Sequence, residues 1–135
     1  MALPVRARVE AVPNFLATLD AVRGFFLEQD AESAQARYTR LKALLREMLD
    51  VLAWSPGSGR PARFLAARSA QARLRVAAVL ELARQTGLPN LREYVVDQHV
   101  VLYAHAEDEV LLLAIKHQRQ LAYSAGTALR ETDQS

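Results

Sequence analysis

The spacing of hydrophobic positions predicts a short strand at the start of the chain, followed by a helix. Residues Val5 to Val12 alternate between small apolar and mostly charged side chains, which is the period of two typical of a half-buried strand. Pro13 ends this strand and suits a first helical turn, because proline has no N–H that would lose a partner there. A helix is predicted from about Asn14 to Glu28. Its apolar stripe is formed by Phe15, Leu19, Val22 and Phe26.

Two further helices are predicted in the middle of the chain. Asp30 is a plausible N-cap for the second helix, because its carboxylate can accept an unpaired backbone N–H. Apolar residues then follow the i, i+3, i+4 spacing of one helix face, at Leu41, Leu44, Leu45, Met48, Leu49 and Leu52. The segment Ser55 to Gly59 ends this helix, so the first two helices should form an antiparallel hairpin. A third helix is predicted from Pro61 to Gln85, with Gly87 placed as its C-terminal cap.

From Leu91 onward the hydrophobic period is two, which predicts strands. The predicted strands cover Leu91–Val96, His99–Ala106 and Glu109–His117. Their short connections, Asp97-Gln98 and Glu107-Asp108, favour an antiparallel meander. The predicted fold class is therefore α+β, in the order β-α-α-[α insert]-β-β-β, with the strand and helical hairpin packed on an antiparallel sheet.

Two-residue turns between these strands assign their side chains to two faces of the sheet. In the first hairpin, the turn pairs Val96 with His99. In the second hairpin, the turn pairs His105 with Val110, and the same register places Val101 opposite Ala114 and His99 opposite Lys116. The expected core face collects Val95, Val100, Leu102, Ala104, Leu111, Leu113 and Ile115. The aromatic and basic opposite face collects Arg92, Tyr94, His99, Val101, Tyr103, His105, Leu112 and Lys116. It is either a partner or nucleic-acid surface, or a second core face covered by the third helix or the tail. Glu93 does not fit, because this register places its carboxylate on the core face.

Composition narrows the classes of function. The chain has 135 residues, of which 51% are hydrophobic, and no cysteine, so we expect one domain without disulfides, thiolate metal sites or iron–sulfur clusters. Phosphate loops, dinucleotide-binding turns and the common hydrolase motifs are absent, and the histidines lack metal-ligand spacing. We therefore expect no metal and no cofactor. Because no apolar run is long enough to span a bilayer, a cytoplasmic protein without membrane contact is expected.

The net charge of +2 is unevenly distributed along the chain. Residues 60–89 contain a single acidic side chain, Glu81, and six arginines: Arg60, Arg63, Arg68, Arg73, Arg75 and Arg84. Such a segment predicts either an acidic protein partner or nucleic acid as ligand, although one solvated helix face is the simpler interpretation.

The C-terminal part of the chain resembles a known family. Leu91 to Tyr123, LREYVVDQHVVLYAHAEDEVLLLAIKHQRQLAY, is similar to the C-terminal half of the RelE/ParE superfamily of toxins from bacterial toxin–antitoxin modules. The matching features are Arg92, the Asp97-Gln98 turn, Tyr103 and the closing Ile-x-His-x-Arg of residues 115–119. The strand, the helical hairpin and the Pro-x-x-Gly-Arg segment Pro56 to Arg60 also occupy the family's positions.

The resemblance covers about residues 5–61 and 90–123, and two regions depart from it. Residues 62–89 exceed the connection usual in the family and form an arginine-rich helical insert. The chain also continues past Tyr123. We therefore expect a single toxin domain over residues 1–124 and a polar tail over residues 125–135.

The resemblance implies one of two functions. The ParE, or plasmid stabilisation, branch binds and poisons DNA gyrase, whereas the RelE branch cleaves mRNA on the ribosome as an endoribonuclease. A small antitoxin neutralises members of both branches. The ending from Ile115 to Arg119 is more similar to the ParE branch, so the gyrase-binding toxin is the leading prediction and the mRNA interferase is the alternative.

The two functions would use different residues. Partner binding, to antitoxin or target, is expected at Arg92, Tyr94, Tyr103, Lys116, His117 and Arg119. In a ribonuclease, His117 and Tyr123 would be the acid and base and Arg119 would stabilise the phosphorane. In the absence of antitoxin, the aromatic sheet face could also support a homodimer.

Overall fold

The computed structural model describes residues 6–62, 70–120 and 123. Its strands are β1 (Arg8–Ala11), β2 (Arg60–Pro61), β3 (Asn90–Val96), β4 (His99–His105) and β5 (Glu109–His117). Its α-helices are α1 (Pro13–Gln29), α2 (Ala31–Trp54) and α3 (Ala70–Thr86), and a 3-10 turn covers Pro56–Ser58. The strands form one sheet in the order β1-β5-β4-β3-β2, with β1 parallel to β5 and the other pairs antiparallel. The predicted α+β class is confirmed, and the sheet is mixed rather than purely antiparallel.

Local sequence signals explain where the helices of the hairpin begin. Pro13 is the first residue of α1, and the Asp30 carboxylate accepts the Glu32 N–H at 3.1 Å to cap α2. The predicted third helix is confirmed over α3 but begins later than Pro61, which instead lies in β2. Residues 63–69 of that prediction lie outside the described residues.

Two polar side chains of α1 attach it to β5. Asn14 Nδ2 donates to the Leu113 carbonyl at 2.9 Å, and the Thr18 hydroxyl accepts the Ile115 N–H at 3.0 Å. Both side chains are buried. They therefore satisfy backbone groups of β5 beyond the point where β1 ends, which fixes α1 along this strand.

The register of the β3–β4 hairpin agrees with its prediction, whereas that of the β4–β5 hairpin agrees only in part. Val96 pairs with His99, and His105 pairs with Val110. A bulge then shifts the second pairing: Leu102 pairs with Ala114 while Tyr103 pairs with Leu112, which leaves Leu113 as the extra residue. The predicted pairs of Val101 with Ala114 and of His99 with Lys116 are therefore wrong. The observed partners are Ile115 and His117, respectively.

Both faces of the sheet carry a buried core, and we name each after the helices that cover it. Val95, which was predicted on the core face, is instead 43% exposed. The hairpin face packs against α1 and α2 and contains Val96, Val101, Tyr103, Val110, Leu112 and Ile115. The insert face packs against Val79 and Leu82 of α3 and contains Val100, Leu102, Ala104, Leu113 and Ala114. The prediction that the aromatic face is an exposed surface is wrong, because the helical hairpin covers it. Every residue of β4 is buried, so this face is a second core face as the alternative held. The alternative was wrong about what covers it, because α1 and α2 lie on this face whereas the third helix packs on the opposite one.

Candidate functional site

The predicted site residues are divided between the two faces of the sheet. Arg92, Tyr94, Tyr103 and His117 lie in register positions of the hairpin face, and Lys116 lies on the insert face because neighbouring strand residues point in opposite directions. Arg119 is exposed in the turn after β5. The structure therefore does not gather these residues into one surface.

Tyr103 is fully buried and holds the segment between α2 and β2. Its hydroxyl donates to the Pro56 carbonyl at 2.7 Å and accepts the Gly59 N–H at 2.9 Å. Burial raises the pKa of this tyrosine, so the hydroxyl remains protonated and able to donate. Tyr103 is 0% exposed, so in this structure it contacts the interior of the protein.

Gly59 is required where this segment crosses the sheet. A Cβ atom built there would meet the Glu93 carbonyl oxygen and would lie 2.7 Å from the Tyr103 hydroxyl oxygen. Arg92 fixes the same position from β3, with its Nη1 donating to the Gly59 carbonyl at 3.0 Å. The Pro-x-x-Gly-Arg motif is thus a tightly packed corner rather than a free loop.

Four polar residues form a cluster on the insert face, which we call the insert-face cluster: Arg60, Glu93, Lys116 and Tyr123. Glu93 is only 3% exposed. Its carboxylate accepts the Tyr123 hydroxyl at 2.7 Å and pairs with Arg60 Nε at 3.3 Å. Glu93 therefore lies on the face that its sequence position predicted, and its carboxylate is paired there rather than exposed at an edge.

Lys116 and Tyr123 complete this cluster and have shifted pKa values. The Lys116 ammonium lies 5.3 Å from the centre of the Tyr123 ring and donates to the Gln120 carbonyl at 3.1 Å. Burial lowers the pKa of Lys116, although Glu93 opposes this shift. Burial, followed by the hydrogen bond to Glu93, raises the pKa of Tyr123. Tyr123 is therefore a hydrogen-bond donor at neutral pH and a poor general base.

His99 and His117 form a second group at the other face. They are directly opposed on β4 and β5, and their ring centres lie 5.3 Å apart in an edge-to-face arrangement. Phe26 of α1 contacts His99 edge-on at 5.9 Å, and the Arg37 guanidinium lies over the Phe26 ring at 4.1 Å. Burial, followed by the charge of His117, lowers the pKa of His99 to about 4. His99 is therefore neutral at physiological pH.

The residues proposed as a catalytic pair are separated by the sheet. His117 packs beside His99 on the hairpin face, whereas Tyr123 packs beside Lys116 on the insert face. Nδ1 of His117 accepts the Arg119 N–H at 3.1 Å, so Arg119 meets this histidine through its backbone. Tyr123 is 1% exposed and its hydroxyl is bonded to Glu93. In this arrangement, His117 and Tyr123 do not converge on a site where both could reach the same phosphate group of an RNA.

Sequence reasoning missed Arg60 and Glu93 as members of the insert-face cluster. The signal for Glu93 was the two-residue period of the strand, which places its side chain on the core face. Arg60 gave no local signal beyond the Pro-x-x-Gly-Arg motif. Of the basic segment, Arg60 pairs with Glu93 and Arg84 pairs with Glu81. The side chains of Arg63, Arg68, Arg73 and Arg75 lie outside the described part of the chain, as does the predicted polar tail. Within that part, no group of three potential metal ligands is present.

Comparison with known proteins supplies a family. The model of a family described as the ParE toxin of the type II toxin–antitoxin system parDE matches residues 9–122. This range includes the helical hairpin, the insert and the three C-terminal strands. No curated protein is significantly similar to the chain. Among the described residues, no helix has the length and hydropathy needed to cross a membrane.

Proposed function

The chain belongs to the ParE family of toxins of type II toxin–antitoxin systems, and we propose that it arrests growth by binding DNA gyrase in the cytoplasm. In this proposal it acts by contact rather than by a reaction of its own, and a cognate antitoxin neutralises it to stabilise the plasmid or locus. The observation that carries the proposal is the separation of His117 from Tyr123 by the sheet. A toxin that acts by contact does not require these groups to converge.

Candidate contact residues remain on the accessible borders of the sheet. Arg92 and Tyr94 are half-buried on β3, His117 is half-buried at the end of β5, and Arg119 is exposed beyond it. Arg92 Nε has no hydrogen-bond partner among the described residues, and none of their carboxylates forms an ion pair with its guanidinium. This nitrogen is buried and Nη1 donates to the Gly59 carbonyl, so the carboxylate of an acidic partner would pair with the charge of Arg92 without a fork that includes Nε.

The alternative, ribosome-dependent mRNA cleavage, would use His117 and Tyr123 together. Its general base must lie within hydrogen-bond reach of the ribose hydroxyl, and its general acid must reach the leaving oxygen. Tyr123 could do so only after leaving its place against Glu93 and Lys116. The proposal therefore assigns Tyr123 to the core and adds the half-buried Lys116 to the contact residues Arg92, Tyr94, His117 and Arg119.

A paired assay of one protein sample tests the proposal. Purified protein is added to gyrase with relaxed plasmid, and separately to a translation reaction in which mRNA cleavage is mapped. We expect loss of supercoiling and intact mRNA. The exposed-site variant Arg119→Glu should weaken gyrase inhibition, whereas Arg40→Glu, an exposed change on α2, should not. Cleaved mRNA with normal supercoiling would replace the proposal by its alternative.

A further inference from the structure

Lys116 is one of only two lysines in the chain, and its amine belongs to the insert-face cluster. The side chain is half-buried near the end of β5, and Nζ donates to the Gln120 carbonyl at 3.1 Å. The same nitrogen lies 5.3 Å from the centre of the Tyr123 ring. Within the described part of the chain, no carboxylate forms an ion pair with this amine. The amine is thus held by a carbonyl and an aromatic ring.

The charges of the four cluster members do not balance. Arg60 and Lys116 are both cationic side chains, whereas Glu93 is the one carboxylate, and it pairs with Arg60 Nε at 3.3 Å. Tyr123 is neutral, since burial raises the pKa of its hydroxyl. An arginine guanidinium does not lose its proton in a protein, so the surplus charge is relieved most readily by loss of a proton from Lys116.

The pKa of Lys116 agrees with this charge balance. Burial lowers it, and the charge of Arg60 adds to this shift while the charge of Glu93 opposes it. Since only an amine without its extra proton can attack a carbonyl carbon, Lys116 is more nucleophilic at neutral pH than an ordinary lysine.

Lys42 provides a comparison within the same chain. It is also half-buried, on α2, and its Nζ lies 4.9 Å from the centre of the Tyr38 ring. Contact with a tyrosine ring is therefore common to both lysines. The charge of Arg60 is what distinguishes the surroundings of Lys116.

We propose that Lys116 is a modification site, at which the amine accepts an acyl group from a small activated donor, either a thioester or an acyl phosphate. The neutral Nζ attacks the acyl carbonyl carbon and forms a C–N bond. The C–S bond of the thioester, or the C–O bond of the acyl phosphate, breaks, and the thiolate or phosphate leaves with the electron pair. The proton of the attacking nitrogen passes to solvent.

Acylation changes the contacts that Lys116 makes. The product is an amide without charge, so it removes the cation from the Tyr123 ring and leaves a neutral N–H to donate to the Gln120 carbonyl. Lys116 is also a contact residue of the proposed function, and the modification would remove its positive charge there. The reactivity itself goes beyond that function and does not depend on the identity of the target.

Competition between the two lysines tests the proposal. The full chain is incubated at neutral pH with acetyl phosphate in one arm and with acetyl-coenzyme A in the other. Peptide mass spectrometry at low conversion then measures the acetylation of each lysine. We expect Lys116 to be acetylated several times faster than Lys42 in at least one arm, and the faster arm identifies the donor.

Two controls connect this preference with the fold and with the cluster. In a concentration of urea that unfolds the protein, the two lysines should react at equal rates. Arg60→Gln removes one cation and leaves Glu93 to stabilise the ammonium, so it should slow the acetylation of Lys116 severalfold without affecting Lys42. Arg40→Gln, an exposed change on α2, should leave both rates unchanged.

Equal rates at the two lysines of the folded protein with both donors would overturn the inference. A preference for Lys116 that persists in urea, or that is unchanged in folded Arg60→Gln, would also overturn it. If Arg60→Gln does not fold, the comparison of folded and unfolded wild type decides. Supercoiling inhibition is measured on unacetylated protein, so the proposed target and the acylation of Lys116 can fail separately.

Discussion

The Tyr123 hydroxyl donates a hydrogen bond of 2.7 Å to the buried Glu93 carboxylate, joining residues 30 positions apart in the chain. This bond fixes Tyr123 to β3, the strand that lies next to the edge strand β2. The same carboxylate pairs with Arg60, so β2, β3 and Tyr123 meet at one point. Removal of any one of these groups should affect the packing of the insert face.

Tyr123→Phe should lower the free energy of unfolding by about 1.5–3 kcal/mol, because a buried carboxylate loses a charge-assisted hydrogen bond. Chemical denaturation measures the change. Tyr94→Phe is the matched control: the described contacts give the half-buried Tyr94 no hydroxyl hydrogen bond, so its loss should cost less than about 0.5 kcal/mol. Equal effects of the two substitutions would contradict the assignment of Tyr123 to the core.

Gly59→Ala should destabilise the protein by about 1–3 kcal/mol, because the new methyl group would overlap the Glu93 carbonyl and the Tyr103 hydroxyl. Gly24→Ala is a control for which the opposite change in stability is expected. Nothing lies within 4 Å of a Cβ at Gly24, which is in α1, so alanine should stabilise by about 0.5–1 kcal/mol. The melting temperatures of the two variants should shift in opposite directions from that of the wild type. A neutral effect of Gly59→Ala would show that this corner is looser than the contacts indicate.

Stability should fall with acidification below pH 6.5 because of His99. Burial lowers the pKa of this histidine from 6.5 to about 4, so the unfolded chain takes up a proton before the folded one. The neighbouring His117 and Arg37 lower the pKa further, while Asp97 opposes them. The contribution is fully present above pH 6.5 and is lost as the pH falls towards 4. The lowering of the pKa from 6.5 to about 4 corresponds to about 3 kcal/mol of stability.

Urea denaturation between pH 7 and pH 4 measures this dependence. His99→Gln cannot titrate, so the stability of the variant should fall less steeply than that of the wild type over this interval. If the free energy of unfolding falls equally steeply with decreasing pH in both proteins, groups other than His99 cause the acid sensitivity.

The sequence predicted the elements well because their local signals are strong. Pro13, Asp30 and the turn at Asp97-Gln98 mark boundaries that the structure confirms within a residue or two. The bulge at Leu113 could not be predicted. It lies in the continuous apolar run of residues 111–115, where a shift of one position exchanges one apolar residue for another and leaves the pattern unchanged.

Coverage of the aromatic sheet face was predicted only as an alternative, and that alternative named the third helix or the tail rather than the helical hairpin that lies there. His99 and Tyr103 suggested an exposed polar face, because a strand pattern does not reveal that a histidine packs on a phenylalanine or that a tyrosine hydroxyl bonds a distant backbone. The insert-face cluster depends on contacts between segments far apart in the chain. Glu93 alone gave a local signal, through a carboxylate at a core position.

Plasmid supercoiling by purified DNA gyrase, measured with increasing amounts of the purified toxin, tests most directly whether gyrase is the target. We expect supercoiling to stop once the toxin is in excess and to resume when the cognate antitoxin is added. Normal supercoiling at a large excess of folded toxin would contradict the claim that gyrase is the target.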